Sequence, residues 1–190
     1  MRRSKLETAE TRRRIVDVAA RAFRANGIQT TGLADLMADA GLSHGGFYRH
    51  FESKDHLIAQ ACEAALTEII GKLEAAAGER TGAKAFKAIV EAYVSTSHRD
   101  APADGCPLAG MGSELARADG QTRAVAARGF DGLVDSLASR SGRRHHAAAR
   151  SEAIFALSAM IGALTMARIV EDPDESAAIL QTVQERLIKM

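Results

Sequence analysis

The sequence predicts an all-α protein: an N-terminal three-helix module containing a helix-turn-helix, then a larger helical body, about nine helices in total. Three observations carry that reading. Apolar residues recur at three-and-four spacing along most of the 190 residues, with no strand-like alternation and no internal repeat. Only three prolines and 4% aromatics accompany abundant alanine, a helix-forming mixture. The breaks between apolar stripes carry residues that stop and start helices: Asn26-Gly27, Gly41, Ser43, Ser53 and Asp172-Pro173.

The first helix runs from about Thr11, with Ile15, Val18, Ala19, Ala22 and Phe23 on one face, and Gly27 ends it. Thr30-Thr31 offers a hydroxyl cap to a second helix over 32–40. Ser43 caps a third of two turns, and Ser53 a fourth whose stripe from Leu57 to Leu73 continues to about residue 77. A fifth is expected over 83–98, a loop at 99–107, and further helices at 107–117, 121–140, 147–170 and 174–188. "SGRRHH" (141–146) reads as a polar break. The expected domains are 1–55 for the small module and 56–190 for the body.

Charge separates the same two parts. Residues 1–54 hold ten Lys/Arg against six Asp/Glu, a net of +4, whereas the remainder holds fifteen against eighteen, a net of −3. A basic front on an acidic body points the front at a polyanion. Two cysteines, Cys62 and Cys106, are too few for a disulfide framework and fit a reducing, cytoplasmic setting. The charged N-terminus has no apolar run behind it, so no signal peptide is expected. The apolar stretch 153–170 contains Arg168 and many small residues, and reads as a buried interface helix, not a membrane span. His44, His50 and His56 do not share a helix face and His145-His146 diverge, so no metal site is expected. No cofactor motif occurs.

The turn "AGLS" leaves helices two and three crossed, the helix-turn-helix arrangement in which the second lies in the major groove of DNA. Phe47 and Phe51, four apart, anchor the short third helix near Leu36, Leu42 and Phe23. The 100° step then turns Gly45 and Arg49 outward, with Gly46 and Tyr48 on the flanks, His44 at the tip and His50 at the boundary. The glycines let backbone approach base edges. Tyr48 and His50 suit phosphates, Arg49 a guanine edge or a phosphate, and Lys54 the flanking backbone, as do the amides near Thr31. Arg2 to Arg14 would add salt-sensitive affinity.

The segment 31–57, "TGLADLMADAGLSHGGFYRHFESKDHL", resembles the N-terminal signature of the tetracycline-repressor (TetR) family over about residues 10–58. The resemblance implies a one-component, non-enzymatic transcriptional regulator, usually a repressor. Such a protein binds a near-palindromic operator as a homodimer and lets go on binding a small-molecule effector. By position it implies DNA contacts at Thr31, His44, Gly46, Tyr48, Arg49, His50 and Lys54. The chain departs from the pattern at Met37, where a small alanine is usual, and in Gly45-Gly46, where Thr or Ser often follows one glycine.

In the body, Cys106 sits in "DGCPLAG" at a helix N-cap, with Pro107 at the first helical position. A helix N-terminus lowers a thiol pKa, which allows a redox or electrophile sensor; a small buried hydrophobe is the other reading. Phe86, Tyr93, Cys106, Met111, Phe130, Phe155 and Met160 could line an effector pocket or form plain core. Ala156, Ala159, Gly162 and Ala163, with Ile179 and Val183 of the last helix, are expected to form a four-helix dimer interface. A thiol enzyme and an effectorless architectural DNA-binding protein are the competing classes.

Overall fold

The computed structural model describes residues 5–140 and 146–190, with His146 described by its backbone alone. Arg2 and Arg3 of the expected basic arm, and the 141–145 part of the polar break with His145, lie outside the described residues. Among the described residues are nine α-helices and two short 3-10 segments.

Helix α1 (Lys5–Asn26) buries Ile15, Ala19, Ala20 and Phe23 on one stripe and closes at Gly27, whose φ of 87° suits glycine. Helix α2 (Leu33–Asp39) starts from Gly32 with no side-chain cap. The expected Thr30-Thr31 cap is therefore corrected: both hydroxyls turn back toward the end of α1, Thr30 donating to the Asn26 carbonyl and Thr31 to the Gly27 carbonyl at 2.6 Å. Gly41 (φ 69°) makes the turn, and the next segment, His44–Arg49, is a 3-10 helix where two α-turns were expected. Ser43 stands at its N-cap position but its side chain makes no capping bond. Two consecutive glycines give an α-turn little support, and the tighter i to i+3 bonding prevails. Ser53 does cap α3 (Lys54–Ala77), accepting from the His56 amide at 3.0 Å.

The expected helix over 83–98 divides. Helix α4 (Gly82–Tyr93) stops at Val94, and α5 (Thr96–Asp100) restarts under a Ser95 cap. The break is held by His98, whose Nδ1 bonds the freed Tyr93 carbonyl at 2.8 Å. The expected loop 99–107 thus contains the end of α5 and a 3-10 turn, Pro102–Asp104. Then come α6 (Pro107–Leu115), α7 (Gly120–Ser139, capped by Asp119), α8 (His146–Ile169) and α9 (Pro173–Ile188, capped by Asp172).

Helix α3 is the spine. It packs on α1, α4 and α7, and a methyl group at Gly129 of α7 would overlap Leu66. Helix α8 is long and apolar enough to cross a membrane by length and composition, yet it packs against α6, α7 and α9. One continuous apolar core runs from Ile15 and Phe47 through α3 to Leu157 and Leu187.

Candidate nucleic-acid interface and the junction behind it

The 44–49 segment is fixed from below. Phe47 and Phe51 are buried and stack at 5.5 Å between centroids, in one cluster with Phe23 and Leu36. Arg12 lies over the Phe51 ring at 4.4 Å and donates to the His50 carbonyl, closing the segment's end. Arg12 is thus a brace and not part of a free basic arm. Arg24, also counted in the basic front, is buried at 4% exposure and faces the body.

With that anchor, His44, Gly45, Tyr48 and Arg49 are exposed, Tyr48 at 69%, while Gly46 and His50 are half-buried. Nothing inside the protein requires glycine at 45 or 46. Neither has positive φ, a Cβ at 45 would meet nothing within 4 Å, and one at 46 would stand 3.7 Å from the Met37 methyl, an ordinary contact. The two departures from the family pattern therefore touch: the larger Met37 fills the space beneath Gly46.

Two of the expected contact residues sit differently. Thr31 is buried with its hydroxyl engaged. Lys54, expected to aim outward, turns its ammonium in and donates to the Ile28 and Thr31 carbonyls at 2.9 and 2.8 Å. From the other side the Glu114 carboxylate of α6 accepts the Ile28 and Gln29 amides at 3.0 Å. The α1–α2 turn is thus gripped between a cation on its carbonyls and an anion on its amides.

A second junction joins α1 to the 102–106 turn. Arg24 donates to the Ala20 carbonyl, the Gly105 carbonyl and Glu68, at 2.9, 3.0 and 3.0 Å. Arg21 pairs with Asp104, and Lys72 bonds the Asp104 carbonyl. Burial works against ionised Glu68, but bonds from Lys72 and Arg24 outweigh it and hold the carboxyl below its ordinary value. Sequence reasoning missed Glu114, Arg24 and Glu68, because helix periodicity carries no signal for which charges meet across elements.

Inside the body, Tyr93, Cys106, Met111 and Met160 are buried, and Phe86 and Phe130 are half-buried. Phe155 is corrected: at 60% exposure it faces outward from α8. Cys106 does occupy the α6 N-cap position, and the Leu108 and Ala109 amides favour its thiolate as expected. Burial outweighs them, and the thiol's pKa is raised. At 1% exposure it lacks the access that a sensor thiol needs. Cys62 is buried too, its pKa pushed up to about 12. On α8, Ala156 and Ala163 point into the protein's own core, which corrects their expected place in a dimer interface; Ala159 is half-buried and Gly162 exposed. Ile179 and Val183 of α9 are half-buried against the core. The outward face of α8 instead carries Ile154, Phe155, Met166 and Ile169, 39 to 65% exposed.

A crossed helix pair presenting an exposed aromatic, an arginine and two unforced glycines on a basic module defines a helix-turn-helix DNA-binding protein. Residues 15–61 match the family described as "Bacterial regulatory proteins, tetR family". Residues 82–185 match "Transcriptional regulator LmrA/YxaF-like, C-terminal domain". The chain belongs to the TetR family of transcriptional regulators, which are DNA-binding and non-enzymatic. It is 38% identical over 73 residues to the HTH-type transcriptional regulator AcrR of Shigella flexneri, covering 38% of this chain and 34% of that protein. It is 29% identical over 87 residues to the HTH-type transcriptional repressor KstR2 of Rhodococcus jostii, covering 46% and 41%. These matches thus span well under half the length of the curated relatives. Over nearly the whole chain it is similar to a TetR transcriptional regulator from Chloroflexus aurantiacus J-10-FL, with 26% identity, a TM-score of 0.79 and coverage of 96% and 94%.

Proposed function

We propose that this protein is a cytoplasmic, effector-released repressor that binds a near-palindromic operator as a homodimer. Residues 1–55 would read DNA and 56–190 would sense and dimerise. The observation that carries the reading is the face of exposed His44, Gly45, Tyr48 and Arg49 with half-buried Gly46: firmly anchored beneath, and holding glycines that the fold itself does not need. Tyr48 donates to a phosphate and Arg49 to a base edge or phosphate, while the bare backbone at 45 and 46 admits the edge of a base. His50 flanks this face. Lys54 and Thr31 act indirectly, by fixing the turn that sets α2. Repression follows the role of relatives such as the transcriptional repressor KstR2.

The exposed apolar residues of α8 supply the dimer surface, with α9 beside it. Two copies joined there must set their reading segments about 34–36 Å apart to enter successive major grooves. Release works through α6. One end of α6 follows the 102–106 turn held by Arg21 and Arg24, and the other carries Glu114 on the α1–α2 turn. A shift of α6 therefore moves the DNA module at two points, and an effector that favours the shifted state lowers operator affinity.

Footprinting of the DNA flanking its own coding sequence tests the reading. Protection of two half-sites about one helical turn apart, lost steeply between low and moderate salt, is expected. Uniform coverage with no preferred site would point instead to an architectural protein.

A further inference from the structure

Tyr48 is 69% exposed on the reading face, yet its ring does not hang free. It meets the Phe47 ring edge to face, 5.2 Å between centroids and 84° between planes. Phe47 stacks on Phe51 at 5.5 Å and 24°, and the Arg12 guanidinium of α1 lies 4.4 Å from the centre of the Phe51 ring. A continuous stack thus runs from a cation on α1, through two buried rings, to the exposed tyrosine. Each step is a geometry that the ring quadrupoles favour.

Arg12 is itself held in place. Its Nη1 donates to the His50 carbonyl at the end of the segment, and its Nη2 stands 3.4 Å from Nε2 of His56 on α3. A guanidinium can only donate, so His56 Nε2 is the acceptor, and it accepts from Gln60 Nε2 as well, at 2.8 Å. The His56 ring in turn packs at 80° to Phe51, 5.9 Å between centroids. One face and two nitrogens of the half-buried Arg12 guanidinium are therefore turned to the protein, whereas Arg13 and Arg14 beside it are exposed.

We propose that Arg12 is a positioning residue for operator recognition: through Phe51 and Phe47 it sets the Tyr48 ring, and its charge neutralises no phosphate. This rests on the reading of the 44–49 face as the DNA-binding face, and adds a residue outside that face on which binding depends. The chemistry favours arginine in this place. A planar guanidinium lies flat on a ring while its edge donates to a carbonyl, and a lysine ammonium has neither the plane nor the fork. Without that group the Phe51 ring loses the partner on its face, the stack loosens, and the Tyr48 hydroxyl no longer meets its phosphate.

Two readouts test this. In full-length protein carrying 3-fluorotyrosine, fluorine NMR reports Tyr48 and Tyr93, the two tyrosines of the chain, with Tyr48→Phe assigning the signals. Arg12→Ala should move the Tyr48 signal toward its position in the unfolded chain and leave that of buried Tyr93 in place, which a general loss of stability would not do. Affinity is then measured from low to moderate salt on the duplex that the native protein enriches from a random pool. Arg12→Ala should weaken binding by about tenfold or more, the worth of one hydrogen bond to a charged group, with the slope of log affinity against log salt unchanged. A lost phosphate contact would instead make that slope shallower by about 0.9 for each phosphate. Arg12→Lys should fail to restore affinity, and His56→Gln, which keeps an acceptor at the same reach, should retain it. If Arg12→Ala does not fold, Arg12→Gln, which keeps a donor for the His50 carbonyl and loses the guanidinium, carries the same predictions. An unmoved Tyr48 signal, a shallower slope, or full rescue by Arg12→Lys would overturn the assignment. A native protein that enriches no duplex would instead sink the regulator reading, and the fluorine signals would still decide whether Arg12 sets Tyr48.

Discussion

At the scale of single residues, the fold's own needs separate from what lies outside them. Phe47, Phe51 and Arg12 hold the reading segment, and Gly46 and Arg49 take no part in that work. Gly46→Ala is therefore expected to leave the unfolding temperature within a degree or two, because the added methyl meets only the Met37 and Ser43 side chains, at ordinary contact distances of 3.7 and 3.9 Å. It should still weaken operator binding, as does Arg49→Ala, each by about 1–3 kcal/mol if the position faces a base. A calorimetric scan beside a binding titration checks the pair. The thiols make a second residue-scale prediction. Burial raises the pKa of both Cys62 and Cys106, so neither should react with a thiol-titrating disulfide in the native protein, whereas both should react once it is unfolded. The expectation of a sensor at Cys106 came from a correct N-cap position. What the sequence could not convey is that Tyr93 and the start of α6 close over that position. The amides that favour the thiolate are present and are outweighed.

At the scale of elements, boundaries with a local chemical signal were legible and those set by tertiary partners were not. Ser53 caps its helix and Gly41 makes the turn, as read from sequence neighbours; Asp119 and Asp172 cap theirs by the same local chemistry without having been read as caps, and Thr31 and Ser43, read as caps, are not. The division of α4 from α5 depends on the His98 ring folding back onto the Tyr93 carbonyl, which apolar periodicity cannot reveal. That same ring makes the break sensitive to acid. Burial lowers the His98 pKa to about 4 from an ordinary value of 6.5. The unfolded chain thus binds a proton in the window between those values when the folded one does not. Stability is fully present above pH 6.5 and falls as pH drops toward 4, by up to about 3 kcal/mol. Denaturant melts of the native protein and of His98→Gln between pH 4 and 7 test this; the variant should lose most of the slope. Helix α6 carries a further prediction. Glu114→Ala removes the acceptor of the Ile28 and Gln29 amides, at a cost of about 1–2 kcal/mol. It should also blunt effector-induced release, because one of the two links from α6 to the DNA module is gone.

At the scale of the whole molecule, the all-helical plan and the position of the reading segment were legible, because a helix-turn-helix is written in contiguous sequence. The proposed dimer surface was legible only as a helix. Small residues at 156 and 163 pack as well inward as outward, and rotation of α8 by one residue exchanges Ala156 for Phe155. The structure sends the alanines in and leaves Ile154, Phe155, Met166 and Ile169 out. Phe155→Glu with Ile169→Glu should give a folded monomer by light scattering, with unchanged helical content and operator affinity reduced at least a hundredfold, since half-sites are then bound one at a time.

In the proposed function the 44–49 face reads DNA in a two-fold assembly. Selection from a random double-stranded pool by the native protein tests this. Enrichment of a near-palindrome whose half-sites lie one helical turn apart is expected, with loss of that enrichment in Tyr48→Ala/Arg49→Ala. Enrichment of the same sequence by the double variant, or no enrichment by the native protein, would contradict it.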